Sequence, residues 1–345
     1  MLAVEWAISR GNHAMPTRST APRALRAAVP LLFCACATAP IRVPVMRPAE
    51  IDMAPYRTVA VAELRGKADR VLTQTLEEAL VATNHFQVVD PARTASALRE
   101  LELSFADLSD PAHAAKLGKV LGGSALIYGD ADESYREETS EDHVKEKDGP
   151  PTTIQKVYGE LTVRATFRIV DASTGRLVVT RTYEEKRSET SRGTDRRPDP
   201  IDRQGLAKSA RAAVIERFLR AVVPYQEFVT ADFRKDGDLP QLESGIGFAE
   251  RGEWKKAQES FRAAAAQVEK NPDPDRKKLA KVYWDLGLSY EYAGEYETAT
   301  QTLRKAYELS QDKSMLRELD AIERLREESR RVAAGGAAPE VASGK

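Results

Sequence analysis

Gly245–Trp254 (GIGFAERGEW) and Gly287–Tyr296 (GLSYEYAGEY) decide the fold of the C-terminal part of the chain, because each belongs to a longer pattern that occurs twice. The first copy reads Gly245, Phe248, Gly252, Trp254, Ala257, Phe261, Ala264. The second reads Gly287, Tyr290, Gly294, Tyr296, Ala299, Leu303, Ala306, with the same internal spacing throughout. The small residues let two helices approach closely, and Phe248, Phe261, Tyr290 and Leu303 fill the space between them at helical intervals. Gly252 and Gly294 stand where the first helix of each pair must stop and turn, a position that favours a left-handed backbone.

This pattern resembles the tetratricopeptide repeat, a pair of antiparallel helices with a period of about 34 residues. Asn271–Lys278 (NPDPDRKK) is the insert that lengthens the period here. An ordinary pair of helical hairpins is the alternative. Two repeats rarely bury enough surface alone, so a cap is expected. Residues 312–331 supply one, with Met315, Leu316, Leu319, Ile322 and Leu325 as a stripe on a charged helix. The expected all-α repeat domain is therefore 239–331, followed by a frayed Ala/Gly-rich tail at 332–345.

The resemblance implies a concave groove built from the first helix of each pair. Family members that clamp a terminal carboxylate carry Lys, Arg and Asn there; this chain has Leu242, Ile246, Trp284 and Leu288, with Tyr292 further along. These five are the candidate partner-binding residues. An apolar groove suits an apolar peptide or amphipathic helix, or an envelope protein that presents one. The same side chains also suit packing against the chain's own segment 225–238 or its sheet domain, and both readings stay open.

At the other end, Arg18, Arg23 and Arg26 precede the short apolar run Ala27–Ala37 (AAVPLLFCACA), which reads as a secretory signal, with Met15 an alternative start to Met1. Phe33-Cys34-Ala35-Cys36 resembles a relaxed bacterial lipobox. That resemblance implies a signal segment with a lipobox-like end at 1–36, cleavage before Cys36, acylation of Cys36, a membrane attachment through this N-terminal lipid, and, from Ala37 in the next position, the outer membrane on its periplasmic face. Plain secretion with cleavage near Ala37 or Ala39 is the alternative. Residues 37–55 hold four prolines and no periodic run, so they read as an extended tether.

Residues 56–225 read as an α/β domain. Strands are expected at Arg57–Leu64, Phe86–Val89, Ser124–Tyr135, Val157–Asp171 and Arg176–Lys186. Helices are expected at Ala68–Thr83, Pro91–Leu103, from Asp110-Pro111 to Gly122-Gly123, and at Asp202–Val223. The order implies a mixed sheet covered by helices on at least one face. Residues 226–238 read as a linker.

Thr58–Val61, Phe86–Asp90, Ala125–Gly129 and Val170-Asp171 followed by Thr174-Gly175 resemble the periplasmic domain shared by the CsgG-like curli secretion lipoproteins and the LpoB-type activators of peptidoglycan synthases. In the curli channel, membrane hairpins are inserted near the third strand and in the later hairpin. Here those places are Arg136–Lys156 and Arg187–Pro200, which are nearly devoid of apolar residues and read as polar loops. A barrel strand needs about ten residues with apolar side chains outward. The pore reading is therefore rejected, while a soluble ring, and so a homo-oligomer, stays open.

Composition narrows the function classes. Net charge is −1, and aromatics are 7% of the chain, which argues against nucleic acid as a partner. The four histidines are scattered, and the two cysteines both lie in the signal segment, so no zinc site can be assembled. Phosphate loop, dinucleotide fingerprint, nucleophile elbow and His-Glu-x-x-His helix are all missing, and no cofactor is expected. The expectation is a non-enzymatic scaffold lipoprotein, with a regulator of a peptidoglycan synthase or a soluble subunit of a secretion ring as alternatives.

Overall fold

The computed structural model describes residues 38–104, 107–122, 125–144 and 152–335. Strand β1 (Thr38–Arg47) opens the fold, followed by β2 (Thr58–Val61), α1 (Asp69–Ala82), β3 (Gln87–Val88), α2 (Pro91–Glu100) and α3 (Pro111–Leu121). Three long strands come next: β4 (Ala125–Val144), β5 (Thr152–Asp171) and β6 (Leu177–Thr194). After them come α4 (Arg203–Val222), β7 (Tyr225–Arg234), α5 (Pro240–Ala249), α6 (Trp254–Glu269), α7 (Arg276–Tyr292), α8 (Tyr296–Ser310) and α9 (Ser314–Ala334). The architecture is thus a mixed sheet with covering helices plus an all-helical C-terminal region.

The five-stranded sheet has the order β3-β2-β4-β5-β6. β2 runs parallel to β3 and β4, whereas β4, β5 and β6 are antiparallel. Side chains alternate across it, as period-two geometry requires. Val59, Val61 and Ile127 face one way, into a core with Leu72, Leu76 and Leu80 of α1 and Val214 and Phe218 of α4. Ala60, Leu126 and Tyr128 face the other way, against Leu98 of α2 and Leu117 and Leu121 of α3. Phe167 of β5 stacks on Phe218 at 4.3 Å, which locks α4 to the sheet. Local sequence sets these helices: Asp90 and Asp110 each accept the first free backbone N–H, and a proline follows each.

In the helical region Gly252 and Gly294 have φ of +70° and +82°, the left-handed turn the repeat pattern requires. At Gly245 a Cβ atom would stand 2.4 Å from the Phe261 ring, and at Gly287 2.5 Å from Leu303, so glycine is what lets α5 meet α6 and α7 meet α8.

The structure differs from expectation in four respects. Residues 37–55, expected as a free tether, contain β1, which pairs antiparallel with β7 from Thr38–Arg234 to Arg47–Tyr225. The linker expected at 226–238 is mostly that partner strand. Along β1, Ile41, Val43 and Val45 are buried while Pro40, Arg42 and Pro44 are exposed. Both prolines lie on the outward set of an edge strand, where no ladder hydrogen bond needs their missing N–H.

The third difference concerns Arg136–Lys156 and Arg187–Pro200, expected as loops. They are largely the outer halves of β4, β5 and β6. They pair in register despite their polarity, because cross-strand backbone bonds need no apolar face. Finally, α9 continues to Ala334 with Val332 buried, so the start of the expected tail is helical. Among the described residues no helix is long and apolar enough to cross a membrane. Cys36 and the signal segment lie outside the described residues.

Candidate functional site

The concave face begins with the two helices that the repeat places side by side. α5 supplies Leu242 and Ile246; α7 supplies Trp284, Leu288 and Tyr292. The structure does bring these five together, but in one core with Ala39, Ile41, Val43, Ala231 and Phe233 of the β1–β7 ribbon. Leu242 is 0% exposed, Leu288 1% and Trp284 6%, and Tyr292 is half-buried. As a free groove, the candidate site is corrected: the chain's own ribbon already covers it. Phe233 fills its centre, stacking on Phe261 at 6.0 Å.

Strand geometry explains how the ribbon is held. Pro40 opposes Asp232 and Pro44 opposes Phe228. Proline positions must be those whose N–H turns away from the partner strand, so the residues opposite them turn their backbone groups outward too. The outer edge of β7 therefore offers the Asp232 carbonyl and the Arg234 N–H to α7. Trp284 Nε1 donates to the Asp232 carbonyl at 2.9 Å, and Asp285 Oδ1 accepts from the Arg234 N–H at 2.8 Å. The Arg234 guanidinium lies over the Trp284 ring at 4.9 Å. Two adjacent side chains of a helix thus do the work of a neighbouring strand.

Ion pairs close the rim. Arg234 meets Asp312 at 3.2 Å, Lys281 meets Asp236 at 2.9 Å, and Lys278 meets Asp238 at 2.6 Å. At the opposite end Arg47 pairs with Glu227 and with Glu328 of α9. The Arg331 guanidinium donates to the Ala49 carbonyl at 3.0 Å. Burial raises the Asp285 carboxyl well above its ordinary range, and its Oδ2 has no hydrogen-bond partner among the described residues.

Between ribbon, α7 and α9 lies a cavity of about 160 Å³ lined by Val45, Arg47, Val229, Glu291, Tyr292 and Glu318, among others. Burial, reinforced by the neighbouring Glu318, pushes Glu291 up to about 9. Glu318 is also raised by burial, and Tyr292 is raised by burial and by both carboxylates. Burial thus favours the protonated form of Glu291 beside Glu318, where α7 faces α9 across the cavity. Among the described residues no cluster of three His, Cys, Asp or Glu is placed to hold a metal ion.

The exposed counterpart of this closed face is the arm formed by the outer halves of β4, β5 and β6. From Arg136 onward every β4 residue is exposed. β4 pairs with β2 only over Ala125–Ile127, so its outer edge beyond the short Arg65–Asp130 bridge carries no strand among the described residues. β6 is the other edge of the sheet. Cross-strand pairs hold the arm, with Lys156–Asp142 at 2.5 Å and Arg136–Glu160 at 3.5 Å. The chain returning from β6 is pinned across it: Thr153 and Asp195 exchange two hydrogen bonds at 2.8 Å, and Arg203 lies over the Tyr135 ring at 4.9 Å. The outer face of the β1–β7 ribbon adds a second exposed feature, Phe228, 55% exposed with Arg42 over its ring at 4.9 Å.

Of the two readings left open by the sequence, packing against segment 225–238 is the one found, through Phe233; the sequence reading missed β1, with Ile41, as the other half of the cover, and Asp285 as the edge cap. The available signal was the strict alternation Ile41-x-Val43-x-Val45 and its counterpart Val229-x-Ala231-x-Phe233.

Two family models each match a part of this chain. Residues 52–199 match the model of the curli production assembly/transport component CsgG, and residues 239–312 match that of the tetratricopeptide repeat. No curated protein matches the chain. Similar solved structures include the LpoB C-terminal domain from Salmonella enterica, 15% identical, covering 39% of this chain and 87% of that one with a TM-score of 0.28. Lipoprotein GNA1162 from Neisseria meningitidis is 16% identical over 47% of this chain and 96% of its own, TM-score 0.25. The PelC dodecamer from Paraburkholderia phytofirmans is 16% identical over 54% and 99%, TM-score 0.25.

Proposed function

We propose that the protein is a non-enzymatic lipoprotein of the bacterial envelope, acylated at Cys36, held on the periplasmic face of the outer membrane, and acting as a scaffold for other envelope proteins. The match of residues 52–199 to the CsgG family supports the envelope assignment, and the repeat match supports work through protein contacts. The observation that carries the site is the division between a closed groove and an open arm. Leu242, Ile246, Trp284, Leu288 and Tyr292 already have an occupant in the ribbon, so they serve to hold the module together. The arm projects two strand edges that no strand among the described residues pairs with, and such edges recruit strands or are covered by a partner.

A second reading follows from the same edges. The β4 edge of one copy can meet the β6 edge of the next, a head-to-tail contact that closes into a ring if the rotation allows. Light scattering of the purified mature chain separates the two: a single discrete oligomer supports the ring, a monomer leaves the scaffold.

The scaffold reading is tested in cells with a photo-crosslinking amino acid placed singly at Glu138, Thr190 and Leu288. Adducts to another envelope protein are expected from Glu138 or Thr190 and none from Leu288. Adducts from Leu288 alone would return the repeat groove to the role of binding site and remove the arm from it.

A further inference from the structure

We infer that the end of the repeat module formed by the start of β1, the turn after β7 and the N-termini of α7 and α9 lies directly against the bilayer, with Lys235, Lys277 and Lys313 in contact with anionic phospholipid headgroups. The inference rests on the reading of Cys36 as the acylated residue and adds to it an orientation. β1 begins at Thr38, and its first residue is paired with Arg234. Only Ala37 separates it from Cys36, and a residue spans at most about 3.6 Å, so acyl chains on Cys36 hold the start of β1 within roughly 7 Å of their attachment point. The proline-rich stretch that would have served as a spacer is consumed by the strand.

That end of the module has a defined surface. Arg234, at the end of β7, bonds Asp312 beside the start of α9, while Asp236 and Asp238 of the following turn bond Lys281 and Lys278 of α7. Asp275 spends its carboxylate on the N–H groups of Lys277 and Lys278. Asp236, Asp238 and Asp312 are therefore held in ion pairs and Asp275 in a helix cap, whereas the Lys235, Lys277 and Lys313 side chains are exposed and form no ion pair among the described residues. Lysines in this state, held at the bilayer by a neighbouring lipid anchor, are drawn to anionic headgroups within a Debye length. The orientation also sets the rest of the molecule. The rim that carries Arg47, Glu328 and Arg331 lies at the other end of the ribbon, pointing away from the membrane.

Hydrogen exchange tests this on the mature chain, residues 36–345, coupled through the Cys36 thiol to a maleimide lipid in vesicles of phosphatidylethanolamine and phosphatidylglycerol. The reference is the same chain free in solution. Exchange is expected to slow on the order of tenfold at 234–239, 276–279 and 313–316, and to be unchanged in the arm at 136–144. A flexible Gly/Ser insert of about 20 residues between Ala37 and Thr38, reaching roughly 25 Å, should abolish the protection. Replacing Lys235, Lys277 and Lys313 together by Glu should reduce it. No slowing at those segments, or slowing in the arm instead, overturns the orientation. The anchor is tested separately by the intact mass of the chain made in cells: a mass without acyl groups at Cys36 removes the lipoprotein reading, while the coupled chain still decides which surface meets the bilayer.

Discussion

Trp284→Ala separates a groove that binds a partner from one already filled. In the filled groove the indole is almost wholly buried, donates to the Asp232 carbonyl and lies under Arg234. Truncating a buried Trp costs about 3–5 kcal/mol. Leaving a backbone carbonyl without its donor adds roughly 1 kcal/mol. A loss of about 4–6 kcal/mol is therefore expected for the unit that unites ribbon and repeats, a large share of the stability of a domain of this size. Trp284→Phe keeps the ring and loses the donor, so about 1–2 kcal/mol is expected.

The assay is guanidinium unfolding of the mature chain followed by far-UV circular dichroism, with hydrogen exchange at Ile41–Val45 and Val229–Phe233 as the local readout. The variant should lower the midpoint and expose the amides of β1 and β7 together, because Trp284 and Asp285 cap that edge. A Trp at an open groove would cost under about 0.5 kcal/mol on truncation. A loss below about 1 kcal/mol with β1 protection intact would refute the covered groove.

Glu291 gives a pH signature: the folded chain holds a proton up to about 9 that the unfolded chain releases from 4.5, so stability present below 4.5 is lost progressively as pH rises through about 9. Glu291→Gln should flatten that slope and raise the midpoint at pH 8, read by denaturant titration across the pH range. Asp171 titrates with the opposite sign. Hydrogen bonds from the Ser173 hydroxyl and the backbone of Ser173 and Thr174 hold it down at about 2, so its contribution is present above 3.8 and fades as pH falls to about 2. Asp171→Ala should cost roughly 1 kcal/mol at neutral pH, and the difference from the parent should close in acid. Gly287→Ala puts a methyl group against Leu303 and should lower stability by about 1–3 kcal/mol, measured by thermal unfolding; an unchanged midpoint would mean that α7 and α8 separate easily.

How far the sequence was legible depended on the range of the interaction that sets each element. The repeat helices were readable because their determinants lie within one or two turns: Gly252 and Gly294 end helices, and Phe261 and Leu303 recur at helical spacing. The α/β elements were readable for the same reason, through Asp90, Asp110 and Asp202 at helix starts. β1 was not. Its alternation covers only Ile41, Val43 and Val45, its prolines argue for a tether, and its partner lies about 180 residues away, as the Arg47–Glu227 pair marks. Nothing local states that the outward parity of Pro40 and Pro44 is compatible with a ladder. Once β7 is known, those prolines become informative, because they deny the free edge of β1 to any further strand.

The arm failed for a different reason. A strand is recognised when one face is buried, and the outer half of β4 is exposed on both, so Glu137, Glu138, Glu141 and Asp142 carry no period-two signal. What orders this segment is continuation of the ladder from the buried stretch Ala125–Gly129, where register with β5 is fixed by packing and then propagates outward pair by pair. An ordered ribbon without an apolar face gains little burial to offset its entropy, so it is expected to be the least stable part of the sheet in isolation. The same reasoning points to where a partner has most effect. A protein that pairs with the β4 or β6 edge would protect the arm amides with little change in the core around Phe167 and Phe218. Hydrogen exchange with and without the crosslinked partner distinguishes this from binding at the repeats, where protection would instead rise at α5 and α7.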